Sequence, residues 1–212
     1  MSTFYARRLK RPLDLALSGG GLLALSPVLG GIACAIKLES KGPVFFTQRR
    51  VGLEGEEFEV MKFRSMLSPE ESFHPDGTEM SNSERVTRVG RILRRTSLDE
   101  IPQLINVLKG EMSLIGPRPT LPYQVQRYTP RQRTRLSVRP GLTGLAQVSG
   151  RNQLTWEQKI EYDLEYAGSV SLLNDLRILL RTAGAVLDSE GQNFTAHDSL
   201  SDHGTASYLQ HI

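Results

Sequence analysis

The chain has 212 residues, 39% of them hydrophobic and 23% charged, which suits one sizeable core and excludes two large domains, wholesale disorder, collagen-like repeats and a polytopic membrane protein. Its one cysteine, Cys34, rules out an intramolecular disulfide and fits a reducing compartment. The net charge of +3 conceals segregation: residues 85–151 carry 13 Lys and Arg against 3 Asp and Glu, a balance that attracts phosphates, nucleic acid or acidic lipid, while residues 51–84 and 152–212 are acidic.

From Leu15 to Ile36 there are 22 residues without a charge, roughly 33 Å as a straight helix, about the thickness of a bilayer core. A cleaved signal peptide and a buried core helix are the competing readings of such a run. Pro27 sits near its middle, where it removes a helical hydrogen bond and favours a kink or break, and Ser26 beside it can take up the freed backbone group. Both flanks are basic, with Arg7, Arg8, Lys10 and Arg11 before and Lys37, Lys41, Arg49 and Arg50 after. By the positive-inside rule both ends belong in the cytoplasm, as in a re-entrant helix that bends at Ser26-Pro27 and leaves by the face it entered. Cys34 then reads as a small apolar residue in this segment.

Residues 43–66 hold two strand-like runs, VFFTQRRV and EFEVMKFRSM, joined by a polar loop around Gly55, which predicts a β-hairpin with Phe58, Val60 and Phe63 suggesting a partly buried face. Residues 67–83, with Pro69, Pro75, Gly77 and several Ser and Glu, read as an acidic surface loop. Val86, Val89 and Leu93 recur at helical spacing among Arg85, Arg88, Arg91, Arg94 and Arg95, a basic amphipathic helix. Ile101, Leu104, Ile105 and Leu108 form the stripe of the next helix, which stops at Lys109-Gly110.

The second of these helices opens on Asp99-Glu100. At a helix start a carboxylate is stabilised in its ionised form, and the same free N–H groups favour a phosphate, so the pair is a candidate for catalysis. Ser97-x-x-Glu100 is also a capping box, under which Glu100 would only cap and Asp99 only favour the first turn, although Pro102 favours a helix beginning nearer Asp99. Arg118 lies between Pro117 and Pro119, a rigid placement that suits bidentate phosphate recognition. The stretch RPGLTGLAQVSGRN adds Arg139, Gly141, Gly144, Gln147, Gly150 and Arg151, where bare backbone can approach a nucleotide; a turn-rich linker has the same composition. Neither a Walker A loop nor a dinucleotide fingerprint is present.

Thr155 and Gln158 have capping-box spacing and start a helix running to about Ala167. Leu172 to Leu187 is an apolar helix interrupted by Asp175, Arg177 and Arg181, able to lie along a membrane surface. After Ser189 the chain reads as a mobile polar tail, where Asn193-Phe-Thr matches a glycosylation acceptor that a cytoplasmic tail never exposes to the enzyme. His74, His197, His203 and His211 form no recognisable zinc set. The fold class is α+β: a re-entrant anchor over residues 1–40, a membrane-associated catalytic domain of hairpin and amphipathic helices over 41–188, and the tail over 189–212.

Taken together, KRPLDLAL…LSPV, GPVFFTQRRVG, FEVMKFRSM, RTSLDEIPQLINVLKGEMSLIGPRP and RPGLTGLAQVSGRN resemble the bacterial sugar transferase family, the small monotopic phosphoglycosyl transferases. The resemblance runs in order from about Lys10 to Leu187. It implies transfer of a sugar 1-phosphate from a UDP-sugar to polyprenyl phosphate, undecaprenyl phosphate in bacteria, with release of UMP and with Mg²⁺ as cofactor. It further implies a place on the cytoplasmic face of the bacterial inner membrane, in contact with lipid and without a nucleic-acid partner, at the first membrane step of a glycoconjugate or polysaccharide pathway. The resemblance makes Asp99 the nucleophile of a covalent aspartyl-phosphosugar intermediate, with Asp99 and Glu100 near the metal. Lys62, Arg94 and Arg118 match the family's basic substrate contacts, Gln147 and Arg151 in the other matching motif are further substrate-binding candidates, and Ser26-Pro27 matches its helix break. Glu111 stands where the family often has Asp. The residues alone leave two rivals: a membrane-tethered, non-catalytic basic protein binding nucleic acid or acidic lipid, and a UDP-sugar glycosyltransferase that releases UDP.

Overall fold

The computed structural model describes residues 4–150 and 153–187. A turn of π-helix, Tyr5–Leu9, leads into α1, Lys10–Glu39. Pro27 lies inside α1, and the interruption expected at Ser26-Pro27 is absent from the helical assignment. The reason is local. Proline cannot donate to the Leu23 carbonyl one turn back, and Ser26 Oγ donates to that carbonyl instead, at 2.8 Å.

Both arms of α1 are fastened to the rest of the molecule. On the N-terminal arm, Lys10 Nζ is 2.6 Å from Asp175 Oδ2, and Arg11 donates to the Val107 carbonyl at 2.6 Å and the Leu108 carbonyl at 3.2 Å. Asp14 is buried and accepts from Ser113 Oγ at 2.8 Å and Leu114 N–H at 3.1 Å. On the C-terminal arm, Leu29, Ile32, Ala33 and Ile36 pack with Phe63 and Leu93. The Glu39 carboxylate accepts from the N–H groups of Arg88 and Val89, at 2.6 and 3.0 Å, capping another helix from 49 residues away. Between the arms Leu23 and Val28 are 77% and 50% exposed among the described residues, while Leu22 and Leu25 are partly buried.

The expected hairpin forms from β1, Phe45–Val51, and β2, Glu57–Phe63, in antiparallel register from Phe45↔Phe63 to Val51↔Glu57. Val60 and Phe63 are both buried but, three residues apart, lie on opposite faces of β2, Val60 with Val107 and Met112 and Phe63 with Ile36 and Leu93. The acidic segment that follows contains a turn at Pro69–Glu71 and α2, Asn82–Arg85, closed by a Ser81/Glu84 capping box. The arginine-rich helix α3 spans Arg88–Thr96, so Val86 lies outside it and bridges Met66 instead. Gly90 packs so tightly on the Ser65 carbonyl that any side chain would displace backbone.

After the 3-10 turn Leu98–Glu100 comes α4, Gln103–Lys109, ended by Gly110 at φ +92°. Its predicted stripe meets α1, where Leu104 and Leu108 face Gly21 and Gly19. A second face, Gln103, Asn106 and Val107, is also buried, and Val107 packs with Val60 and Met112. Then β3, Ser113–Ile115, pairs in parallel with β4, Gly141–Thr143, and the connection between them holds α5, Pro122–Gln126, and α6, Pro130–Arg133. Next, α7, Leu145–Ser149, precedes α8, Trp156–Gly168, which opens with the expected Thr155/Gln158 capping box. The last helix is α9, Leu172–Leu187. Asp175, expected to interrupt its apolar surface, is buried and accepts from Tyr5, Lys10 and Tyr166, whereas Leu172, Leu173, Leu176 and Leu180 are exposed. The molecule is thus α+β, with a long apolar N-terminal helix and small sheets. Arg151, the polar tail and its three histidines lie outside the described residues.

Candidate active site

At the end of α3 the chain reverses through Ser97, whose φ of 57° is left-handed, and the 3-10 turn Leu98–Glu100 sets Asp99 and Glu100 beside β2 and the Pro117–Pro119 segment. The capping box that Ser97 and Glu100 might have made is not formed, since Ser97 makes no side-chain cap. Glu100 turns instead to two cations. Lys62 Nζ from β2 lies 2.7 Å from Glu100 Oε1, and Arg118 Nη2 lies 2.9 Å from the same oxygen. Burial alone would raise the Glu100 pKa, but Arg118 and Lys62 outweigh it and hold the carboxyl well below its usual range.

Asp99 accepts no hydrogen bond among the described residues, and its environment acts in the opposite direction. Burial, followed by the adjacent Glu100 charge, pushes its pKa up to about 6 against the pull of Lys62, Arg94 and Arg118. Arg94 is oriented by its Nε bond to Ser65 Oγ, at 2.8 Å. Two neighbouring carboxyls therefore differ in character: Glu100 is a fixed anion locked between cations, and Asp99 is an unbonded group that titrates near neutrality. Such divergence marks sites that do chemistry.

The supports of this cluster are mostly residues that sequence alone does not single out. Asn106 on α4 is 1% exposed and reads the edge of β2, accepting from Met61 N–H at 3.0 Å and donating to the Glu59 carbonyl at 2.7 Å. It thereby fixes the strand next to Lys62. Its amide also donates to Glu111 Oε2 at 2.7 Å, which gives Glu111 a place supporting α4 rather than at the dyad. The Arg118 segment is held by Gly141 N–H on the Pro117 carbonyl, Arg135 on the Arg118 carbonyl and Val51 N–H on the Thr120 carbonyl, at 2.8, 3.0 and 2.9 Å.

Lys62, Arg94, Asp99, Glu100 and Arg118 are thus brought together, while Gln147 on α7 is not bonded to them. Its buried amide lies against Gly144 with no hydrogen-bond partner among the described residues. The glycines once open to a nucleotide are used within the fold: Gly141 and Gly144 press on the backbone of Gly116, where a side chain would collide. Arg139, from the same stretch, donates to the Gly110 carbonyl at 2.9 Å, at the end of α4.

The oxygen donors available to a cation are the two adjacent carboxylates, and no cluster of three or more His, Cys, Asp or Glu exists among the described residues. That set fits Mg²⁺, which commonly takes one or two carboxylates and completes its shell with substrate phosphates and water.

Comparison with known proteins bears on the same residues. The profile of the bacterial sugar transferase family matches residues 5–189. The chain is 42% identical to the protein named uncharacterized sugar transferase EpsL of Bacillus subtilis (strain 168), over 89% of this chain and 92% of that protein. It is 39% identical to the exopolysaccharide production protein ExoY of Rhizobium meliloti (strain 1021), over 86% of this chain and 87% of the relative. It is also 44% identical to the UDP-glucose:undecaprenyl-phosphate glucose-1-phosphate transferase of Caulobacter vibrioides, over 85% of this chain and 70% of that one. With its profile matched along nearly all the described residues, the chain belongs to the bacterial sugar transferase family.

Proposed function

We propose that this protein transfers a sugar 1-phosphate from a UDP-sugar to polyprenyl phosphate, releasing UMP, in two displacements at phosphorus. The observation that carries the reading is the split dyad, an unbonded Asp99 next to a charge-locked Glu100 within a ring of Lys62, Arg94 and Arg118. A surface that only binds nucleic acid or acidic lipid has no use for paired carboxylates within its cations. The relatives named above support the substrate class.

In the first displacement an Asp99 carboxylate oxygen attacks the β-phosphorus of the UDP-sugar. The bond from that phosphorus to the bridging oxygen breaks, its electron pair leaves with UMP, and the sugar phosphate remains on Asp99. In the second, a phosphate oxygen of the lipid attacks the same phosphorus and the Asp99 carboxylate departs, giving polyprenyl diphosphosugar. Arg118, with its side chain half exposed, and Lys62 would present their positive charge to the incoming diphosphate while Glu100 keeps them in place. Asp99 and Glu100 would hold Mg²⁺, which would supply charge neutralisation at the diphosphate.

The setting is the cytoplasmic face of the inner membrane, with α1 entering and leaving by that face. Support comes from the basic flanks and from the fastening of both arms of α1 to one body. A straight helix of 30 residues is about 45 Å long and, placed across a bilayer, would carry its two ends to opposite sides. The bilayer core then receives Leu23 to Val28.

The product decides the reaction class. With UDP-sugar, polyprenyl phosphate and Mg²⁺, the wild-type enzyme should release UMP and not UDP, and Asp99→Asn should release neither. UDP as product would replace this reading with a glycosyl transfer.

A further inference from the structure

Beneath the segment that presents Arg118 lies a second arginine, Arg135, which is 3% exposed and touches neither Asp99 nor Glu100. Its guanidinium is shared among four acceptors. Nη2 donates to the Arg118 carbonyl at 3.0 Å and to Asp163 Oδ2. Nη1 donates to the Tyr128 hydroxyl at 2.6 Å and meets Thr120 Oγ1 at 3.3 Å. Asp163, on α8, is itself 2% exposed. Burying both ions is costly, and Arg135 Nε and Asp163 Oδ1 find no hydrogen-bond partner among the described residues, but the bonds that form tie three separate pieces of chain together.

What those bonds hold is specific. One bond reaches the backbone of Arg118 itself and another the side chain of Thr120, on the far side of Pro119. Packing around these bonds is close, for the cavity behind the segment measures only about 10 Å³, lined in part by Pro117, Arg118, Thr120, Arg135 and Leu136. The Arg118 side chain beyond it is 53% exposed and reaches Glu100 Oε1 at 2.9 Å. The backbone from which it reaches is the group that Arg135 bonds.

We propose that Arg135, neutralised by Asp163, is a positioning residue for sugar-phosphate transfer: it fixes the backbone from which Arg118 reaches Glu100 and the substrate phosphates. The proposal rests on the reading of Arg118 as a phosphate-binding group. Lysine at position 135 keeps the charge but cannot address these acceptors in one planar fork. Small displacements of a positioning group are sufficient to slow a reaction strongly.

The test is a double-mutant cycle of Arg118→Ala and Arg135→Lys on the full-length protein in detergent, reading kcat and KM for the UDP-sugar, with thermal unfolding to establish folding. Arg135→Lys should lower kcat/KM by about tenfold or more, in the same parameter that Arg118→Ala changes, and the double variant should be no slower than Arg118→Ala alone. Losses that multiply would show Arg135 acting independently of Arg118 and would overturn the proposal. Wild-type turnover by Arg118→Ala would overturn the reading of Arg118 and this proposal with it, whereas an impaired Arg118→Ala with multiplying losses overturns the proposal alone. If Arg135→Lys fails to fold, Asp163→Asn takes its place in the cycle and is judged by the same rule.

Discussion

Asp99 and Glu100 are neighbours in one turn, yet Glu100 has Lys62 and Arg118 in direct contact and Asp99 has only their more distant field. That difference has a pH signature. Attack requires the ionised Asp99, and its pKa is about 6, raised from the usual 3.8 by burial and by Glu100. At subsaturating UDP-sugar and subsaturating Mg²⁺, where kcat/KM reports the metal-free enzyme, it should therefore rise through pH 6 with one ionisation and level off above it. Arg94 lowers the Asp99 pKa without bonding Glu100, so Arg94→Gln should move the inflection to higher pH. A flat profile from about pH 5 to about pH 7 would contradict the assignment. Much at this scale was legible because the chemistry is compressed into SLDE and GPRP, with Lys62 supplied by the family resemblance. The division of charge was not, because it depends on partners 38 and 18 residues from Glu100.

The elements that sequence predicted well are those specified by nearby residues. The hairpin pairs residue for residue from Phe45↔Phe63 to Val51↔Glu57, and Thr155 caps its helix through Gln158 three residues on. Residues held by remote partners were harder to place, for α9 spans Leu172–Leu187 as expected but the burial of Asp175 within it was not legible. Asp175 looked like a polar break in an apolar helix because its partner Lys10 is 165 residues away. The Ser26 hydroxyl, by contrast, was expected to serve a freed backbone group and does so, allowing α1 to continue through Pro27. Asn106 shows what such hidden links contribute. Asn106→Leu preserves bulk but strands Met61 N–H, the Glu59 carbonyl and Glu111 at a buried junction of β2 and α4. A loss of about 2–4 kcal/mol should follow, seen as a lower denaturant midpoint, together with reduced activity from a displaced Lys62. An unchanged midpoint would show the junction to be held by apolar packing alone.

At the scale of the whole molecule, the two arms of α1 and the catalytic turn form one connected body: Glu39 caps α3, α3 ends at the dyad, and Arg11 secures the end of α4. The proposed re-entrant topology predicts that single cysteines at Ser2→Cys and Glu56→Cys, in a Cys34→Ser background, are both protected from an impermeant thiol reagent in intact cells. Both should react after permeabilisation, and labelling of either from outside would place that end across the membrane. In the proposed mechanism this body would bring a soluble nucleotide sugar and a lipid to one turn at the membrane, and the covalent intermediate would let them arrive in succession. The central claim is that the first displacement needs no lipid. Wild-type enzyme mixed with Mg²⁺ and its UDP-sugar, without polyprenyl phosphate, and sampled by rapid quench should release about one UMP per active site and add one phosphosugar to the peptide containing Asp99. UMP release that depends strictly on polyprenyl phosphate, with no adduct on that peptide, would contradict the account and assign the reaction to direct transfer in a ternary complex.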